Sequence, residues 1–201
     1  MLEARGISFG YDRARPLYEG FDLQVAPGER VALSAPSGFG KTTLCRILAG
    51  YEQSWAGQVL VDDVPLPRRG VCPVQLILQH PEQAVDPRLR LRDTLAEAGG
   101  DPAEVARLVD LLGIKPQWLS RYPHELSGGE LQRFCIARAL AANPRYLIAD
   151  EVSTMLDALT QAQIWRALIA EVQVRNLGLM FVSHSPALTA RIATREIRLG
   201  K

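Results

Sequence analysis

Only three cysteines occur in the 201 residues, Cys45, Cys72 and Cys135, and no two form a C-x-x-C pair. An odd, scattered set excludes a disulfide framework and supplies no metal-ligand spacing, so reduced packing thiols of a cytosolic protein are expected. No stretch approaches the ~20 consecutive apolar residues that span a bilayer. The opening Met1-Leu2-Glu3-Ala4-Arg5 has no apolar core of a secretory leader. Neither sign of charge dominates: 23 Lys+Arg against 22 Asp+Glu leave a formal net charge of +1. That balance excludes a strongly basic nucleic-acid surface and an acidic tail. Repeats, low-complexity tracts and long linkers are missing as well. With 47% apolar and 22% charged residues, the chain has the composition of a folded domain and not of a disordered one.

Short apolar runs bounded by Gly, Pro and charged turns predict strands over Leu2–Phe9, Phe21–Val25 and Arg30–Ser34. A Gly-rich turn then leads into a helix from Lys41 to Ala49 that Gly50 can end. Gln58–Val61, Asp62-Asp63 and Val64 predict a small hairpin, and Val74–Leu78 another strand. The middle of the chain changes period. Val105, Leu108, Val109 and Leu112 fall at i, i+3, i+4 and i+7, a helix opened near Asp101-Pro102 and stopped at Gly113. A further helix covers Ser127–Ala142. The last third alternates strand (146–149), helix (160–175), strand (179–182), helix (186–193) and strand (196–199). Strands alternating with helices predict an α/β chain with a mainly parallel sheet, a small antiparallel β part at the N-terminal side, and a helical insert at about 80–140.

Three segments carry chemistry. Ala35-Pro36-Ser37-Gly38-Phe39-Gly40-Lys41-Thr42-Thr43 follows a predicted strand and opens a predicted helix, the context a phosphate loop requires. Its glycines let backbone N–H groups turn toward phosphates at a helix N-terminus. Lys41 would reach the β- and γ-phosphates, and Thr42 would offer its hydroxyl to Mg²⁺. Tyr146–Ala149 is an apolar strand ending in Asp150 and Glu151. At a strand's carboxyl end Asp150 would approach a metal shell and Glu151 would polarise an attacking water, although solvated acids at a strand end look the same. Leu126-Ser127-Gly128-Gly129-Glu130-Leu131-Gln132-Arg133 offers a capped helix start with exposed N–H groups, a second anion site or simply a cap.

That last run closely resembles the signature sequence of ATP-binding-cassette (ABC) ATPases, and other marks of the family fall in order around it. Tyr11 matches the aromatic that stacks on adenine, Gln79 the Q-loop glutamine, Leu156-Asp157 the end of the D-loop, and His184 in Phe181-Val182-Ser183-His184 the switch histidine. The resemblance spans nearly the whole chain, read as one ABC ATPase domain over 1–201. It implies a P-loop NTPase fold and an ATPase using ATP and Mg²⁺. Nucleotide contacts would come from Tyr11, Ser37, Gly38, Phe39, Gly40, Lys41, Thr42, Thr43, Ser127, Gly128, Gly129 and Asp157. Metal contacts would come from Thr42, Gln79 and Asp150, and catalysis from Glu151, His184 and Gln79.

The stretch Ser153–Trp165 looks like the subgroup serving peptide, nickel and opine importers, which implies a cargo of peptides, nickel or a metal chelate. The resemblance then implies a peripheral subunit at the cytoplasmic membrane face, paired head to tail with a second such subunit. It further implies transmembrane permease subunits and a substrate-binding protein, with no nucleic-acid partner. A soluble non-transport cassette ATPase and a regulatory subunit with little hydrolysis remain as alternatives. The chain ends soon after its last predicted strand, so no C-terminal regulatory extension is expected. Departures from the family pattern are Ala35 for the first loop glycine, Phe39 at a usually small position, Val152 for proline, and Thr154-Met155 for Ser-Ala. Arg88, Arg90 and Arg92, alternating with Leu89 and Leu91, read as a solvated basic stretch or a subunit contact.

Overall fold

The computed structural model describes residues 1–153 and 156–200; the Thr154-Met155 departure lies outside the described residues. Two sheets form. Strands β1 (Leu2–Phe9), β2 (Tyr18–Val25), β4 (Ala56–Val61) and β5 (Val64–Pro65) make an antiparallel sheet in the order β2-β1-β4-β5. Strands β3 (Arg30–Ser34), β6 (Val74–Ile77), β7 (Tyr146–Asp150), β8 (Gly178–Val182) and β9 (Arg195–Arg198) make a parallel sheet in the order β6-β7-β8-β3-β9. Helix α1 (Lys41–Leu48) follows β3. Helices α2 (Leu91–Ala96), α3 (Pro102–Leu111) and α4 (Gly128–Ala141) lie between β6 and β7 in the chain. Helices α5 (Ala158–Arg175) and α6 (Pro186–Ile192) connect the last strands.

The alternation of side chains along a strand assigns each face of the parallel sheet its own core. Leu147 and Ala149 of β7, with Leu179 and Phe181 of β8, pack against the helices α3, α4 and α5 through Leu108, Phe134, Ile136 and Leu168. Tyr146, Ile148, Met180 and Val182 face the other way, onto Leu44 and Ile47 of α1 and onto Leu2, Ile7 and Val25 of the antiparallel sheet. Fully burying each such side chain contributes about 1.5–3 kcal/mol, and β7 and β8 are buried along their whole length. This is why they read as unbroken apolar runs. Among the described residues, no helix is long and apolar enough to cross a membrane.

Helix α3 is held to α5 by charge as well as by apolar contact. Glu171, 2% exposed, accepts from Arg107 Nη1 and Nη2 at 2.8 and 2.7 Å and from Arg175 Nε at 2.7 Å. Glu104 pairs with the same two arginines. Burial pushes the Glu171 carboxyl up, but Arg107 and Arg175 outweigh it and hold it below the ordinary range.

The basic stretch at 88–92 is solvated at Arg88 and Arg92 but not simply so at Arg90. Leu91 is fully buried and opens α2, which the alternating pattern concealed. Arg90 lies over the Tyr122 ring, 4.8 Å from its centroid, while Arg88 and Arg92 are solvated and pair with Asp86 and Asp93. Strand β2 also begins at Tyr18 and not at Phe21.

Candidate active site

The loop between β3 and α1 has Gly38 at φ +83° and Gly40 at φ +80°, conformations that side chains with a Cβ rarely adopt. A Cβ on Gly40 would also lie 2.9 Å from the Tyr18 hydroxyl, which donates to Gly40 O at 2.9 Å. Ala35 is absent from the positive-φ positions, so alanine in place of the family glycine carries no backbone strain here. Phe39, the other departure, packs its half-exposed ring against Gly200.

Helix α1 starts differently from α3, α4, α5 and α6. Those four are capped by the side chains of Asp101, Ser127, Asp157 and Ser185, whereas α1 begins at Gly40 with no side-chain cap and no acid in its first turn. Its leading N–H groups are left for an anion. Lys41 is 8% exposed, and its Nζ donates to Ala35 O at 2.9 Å and to Pro36 O at 3.3 Å. The ammonium is therefore folded onto the carbonyls of its own loop, a partner that spacing alone did not suggest. The loop and the switch segment share one cavity of about 370 Å³, lined by Ala35, Pro36, Lys41, Ser183 and His184 among others.

At the carboxyl end of β7, Asp150 is 1% exposed and its Oδ1 has no hydrogen-bond partner among the described residues. Burial raises its pKa, with the neighbouring Thr42 hydroxyl pulling the other way. An orphaned buried carboxylate oxygen beside a hydroxyl suits a hard cation such as Mg²⁺. Among the described residues, no three His, Cys, Asp or Glu side chains converge on a metal. Such an ion would be completed by phosphate oxygens, as Mg²⁺ sites commonly are.

Glu151 leaves β7 at φ +49°, a strained conformation for a residue with a side chain. Its N–H donates to Val182 O at 3.2 Å. Its two carboxylate oxygens have separate partners: Gln79 Nε2 donates to Oε2 at 3.1 Å, and His184 Nε2 lies 2.8 Å from Oε1. The His184 contact is a hydrogen bond to the carboxylate in the tautomer that carries its proton on Nε2. The three residues assigned to catalysis thus meet at one carboxylate.

The remaining site residues are more dispersed. Tyr11 is 70% exposed, its ring edge-on to Phe9 and its hydroxyl 3.1 Å from that of buried Thr43. That leaves a ring face available near the start of α1. Ser37 of the loop and Thr42 of the first turn of α1 are exposed. Ser127 caps α4 in a reciprocal box with Glu130, and a Cβ on neighbouring Gly128 would meet nothing within 4 Å. Gly129 faces Leu156 and Thr160. Asp157 uses its carboxylate to cap α5, accepting from Leu159 N and Thr160 N at 3.0 Å each.

Two residues carry contacts that motif reading missed. Ser153 Oγ accepts from Trp165 Nε1 at 3.0 Å and Gln161 Nε2 at 3.1 Å, anchoring the segment after Glu151 to α5. Val152 beside it is buried in the core where the family has proline. Gln132 of α4 is 2% exposed and donates to Leu78 O at 3.2 Å.

A family model described as ABC transporter matches residues 18–154, more than half of the chain. The chain belongs to the ABC transporter family. The Glutathione import ATP-binding protein GsiA of Escherichia coli is 37% identical to this ABC chain over 194 residues, covering 87% of it and 30% of the relative. GsiA of Pectobacterium atrosepticum is 37% identical over 191 residues, with the same shares covered. The ABC chain thus spans about 30% of the length of the curated relatives it matches. A solved ATP-binding subunit of an ABC transporter superposes with a TM-score of 0.86 at 26% identity, covering 99% of this chain and 85% of that one. The α/β reading of the fold, with its parallel sheet, helices and small antiparallel sheet, is borne out.

Proposed function

We propose that this chain is the ATP-binding and ATP-hydrolysing subunit of an importer, most simply one for peptides or for a small peptide such as glutathione. The observation that carries the reading is the Glu151 carboxylate held from both sides by Gln79 and His184 at the end of β7. A purely nucleotide-binding regulatory subunit has no use for a carboxylate oriented in this way. The relatives' name, an import ATP-binding protein for glutathione, supports the substrate class.

The residues divide the work as follows. Gly38, Gly40 and the open N–H groups of α1 bind phosphate oxygens, and Lys41 exchanges the carbonyls of Ala35 and Pro36 for the β- and γ-phosphates. The exposed face of Tyr11 stacks on adenine. Thr42, Asp150 and Gln79 would hold Mg²⁺, which when bound neutralises charge on the transferring phosphoryl group. Glu151 orients a water and takes its proton as the water oxygen bonds to the γ-phosphorus and the bond to the β-phosphate oxygen breaks, giving ADP and phosphate. His184 and Gln79 keep the carboxylate aimed.

The exposed turn Ser127-Gly128-Gly129 caps the partner nucleotide in a head-to-tail pair with a second, identical or homologous cassette. Transmembrane permease chains and a substrate-binding protein complete the importer, with this subunit at the cytoplasmic face. Copurification from membranes tests the reading: a second cassette and permease chains should accompany this one, and the assembly should release phosphate from ATP in a Mg²⁺-dependent way. An assembly that binds ATP but releases no phosphate would leave the regulatory alternative standing.

A further inference from the structure

We propose that Gln132 is a positioning residue that transmits the placement of the signature turn to the catalytic carboxylate. Ser127 caps α4, and Gln132 lies five residues further along the same rigid helix, about 7.5 Å along its axis. Gln132 is 2% exposed, within a helix whose neighbouring Leu131, Phe134, Cys135 and Ile136 are all buried. A buried amide costs free energy unless it is bonded, and an apolar side chain of similar volume would fill the space without that cost.

The bond that offsets it goes to one place. Gln132 Nε2 donates to the carbonyl of Leu78, just beyond the last residue of β6 and immediately before Gln79. One turn further along α4, Cys135 Sγ approaches Pro81 O at 3.6 Å, two residues after Gln79. The backbone on either side of Gln79 is thereby attached to α4. The Gln79 side chain in turn donates to Glu151. An unbroken series of contacts runs from Ser127 along α4 to Gln132, then through Leu78 and Gln79 to Glu151.

The consequence rests on the head-to-tail pairing proposed above. There the signature turn of one chain meets the nucleotide of the other, while Glu151 serves the nucleotide of its own chain. A displacement of α4 on meeting the partner's phosphate moves Leu78 through Gln132 and so re-aims Gln79. Gln132 thus makes the geometry of one hydrolytic site depend on occupation of the other.

The test replaces Gln132 with methionine, which keeps length and volume and removes the donor. In the assembled protein, Gln132→Met should lower kcat about tenfold, the loss of one hydrogen bond's positioning, while KM and the affinity for ATP stay within about twofold. In a Gln79→Ala background the same substitution should change kcat by less than about twofold, because the two act in series. A thermal melt of each variant separates misfolding from misplacement. Unchanged kcat in Gln132→Met, or full additivity with Gln79→Ala, would overturn the inference while leaving the ATPase reading intact. An unsubstituted assembly that neither binds nor hydrolyses ATP would overturn both.

Discussion

His184 Nε2 lies 2.8 Å from Glu151 Oε1, while the Glu151 backbone N–H bonds to Val182, two residues before His184. The end of β8 therefore grips the residue after β7 by main chain and side chain together. Any rotation of the His184 segment carries the carboxylate with it, and the remaining oxygen stays under Gln79.

Glu151→Gln should slow hydrolysis by ~10²–10⁴-fold, the range typical of removing a positioned base. The substituted amide presents an oxygen to one flanking partner and an NH2 to the other, so either Gln79 turns its amide or His184 takes its other tautomer. Nucleotide binding should survive within a few-fold, because Lys41, Thr42 and Asp150 are untouched. Phosphate release and equilibrium binding measured side by side check this. Turnover within a few-fold of the unsubstituted chain would refute the base role.

Lys41→Ala should abolish measurable ATP binding. It also removes the bonds to Ala35 O and Pro36 O, so a destabilisation of about 1 kcal/mol should accompany it. Nucleotide titration paired with a thermal melt distinguishes the two effects, and near-native ATP affinity would disprove the phosphate-loop assignment.

Asp150 gives a pH dependence with a definite sign. Its folded pKa is raised above the ordinary carboxylate value by burial, so the folded state binds its proton more tightly than the unfolded chain does. Its contribution to stability therefore declines as pH rises from about 4 through the raised folded value. Asp150→Asn should raise the melting temperature of the metal-free, nucleotide-free chain at neutral pH, with the difference shrinking toward pH 4. The same variant should weaken Mg²⁺-dependent ATP binding. A lower melting temperature at pH 7 would contradict the orphaned-oxygen account.

Ser127→Arg should lose the α4 cap, costing about 1 kcal/mol, and should block ATP-driven pairing of cassettes. Ser127→Asp keeps a capping oxygen but places a negative charge where a partner's phosphate would sit. Both variants should remain unpaired in light scattering with ATP, and only the arginine variant should melt early. Persisting pairs in both would count against the two-sided nucleotide site.

Most of the candidate site was readable as a candidate because its residues fall in motifs with a local mechanism. Gly38, Gly40 and Lys41 stand where a strand meets a helix, and Asp150-Glu151 end a strand buried on both faces, which appears as a continuous apolar run. What escaped reading had no local signal. Helix α2 has only six residues, and its entry, Arg88-Leu89-Arg90-Leu91-Arg92, alternates with a period of two. The start of β2 pairs with β1 through register shifts, which break the alternation that marks a strand. Gln132, one polar residue on a buried helix, acquires its role only from Leu78, 54 positions away.

The left-handed backbone at Glu151 sets folding and chemistry in opposition at one position. Glycine or asparagine would adopt φ +49° with less strain. A library randomised at 151 and sorted for thermal resistance alone should therefore enrich those two residues. If Glu151 is the base proposed above, the same library sorted for phosphate release should return glutamate, so the two screens together would read out what is given up in robustness to hold that carboxylate at the end of β7.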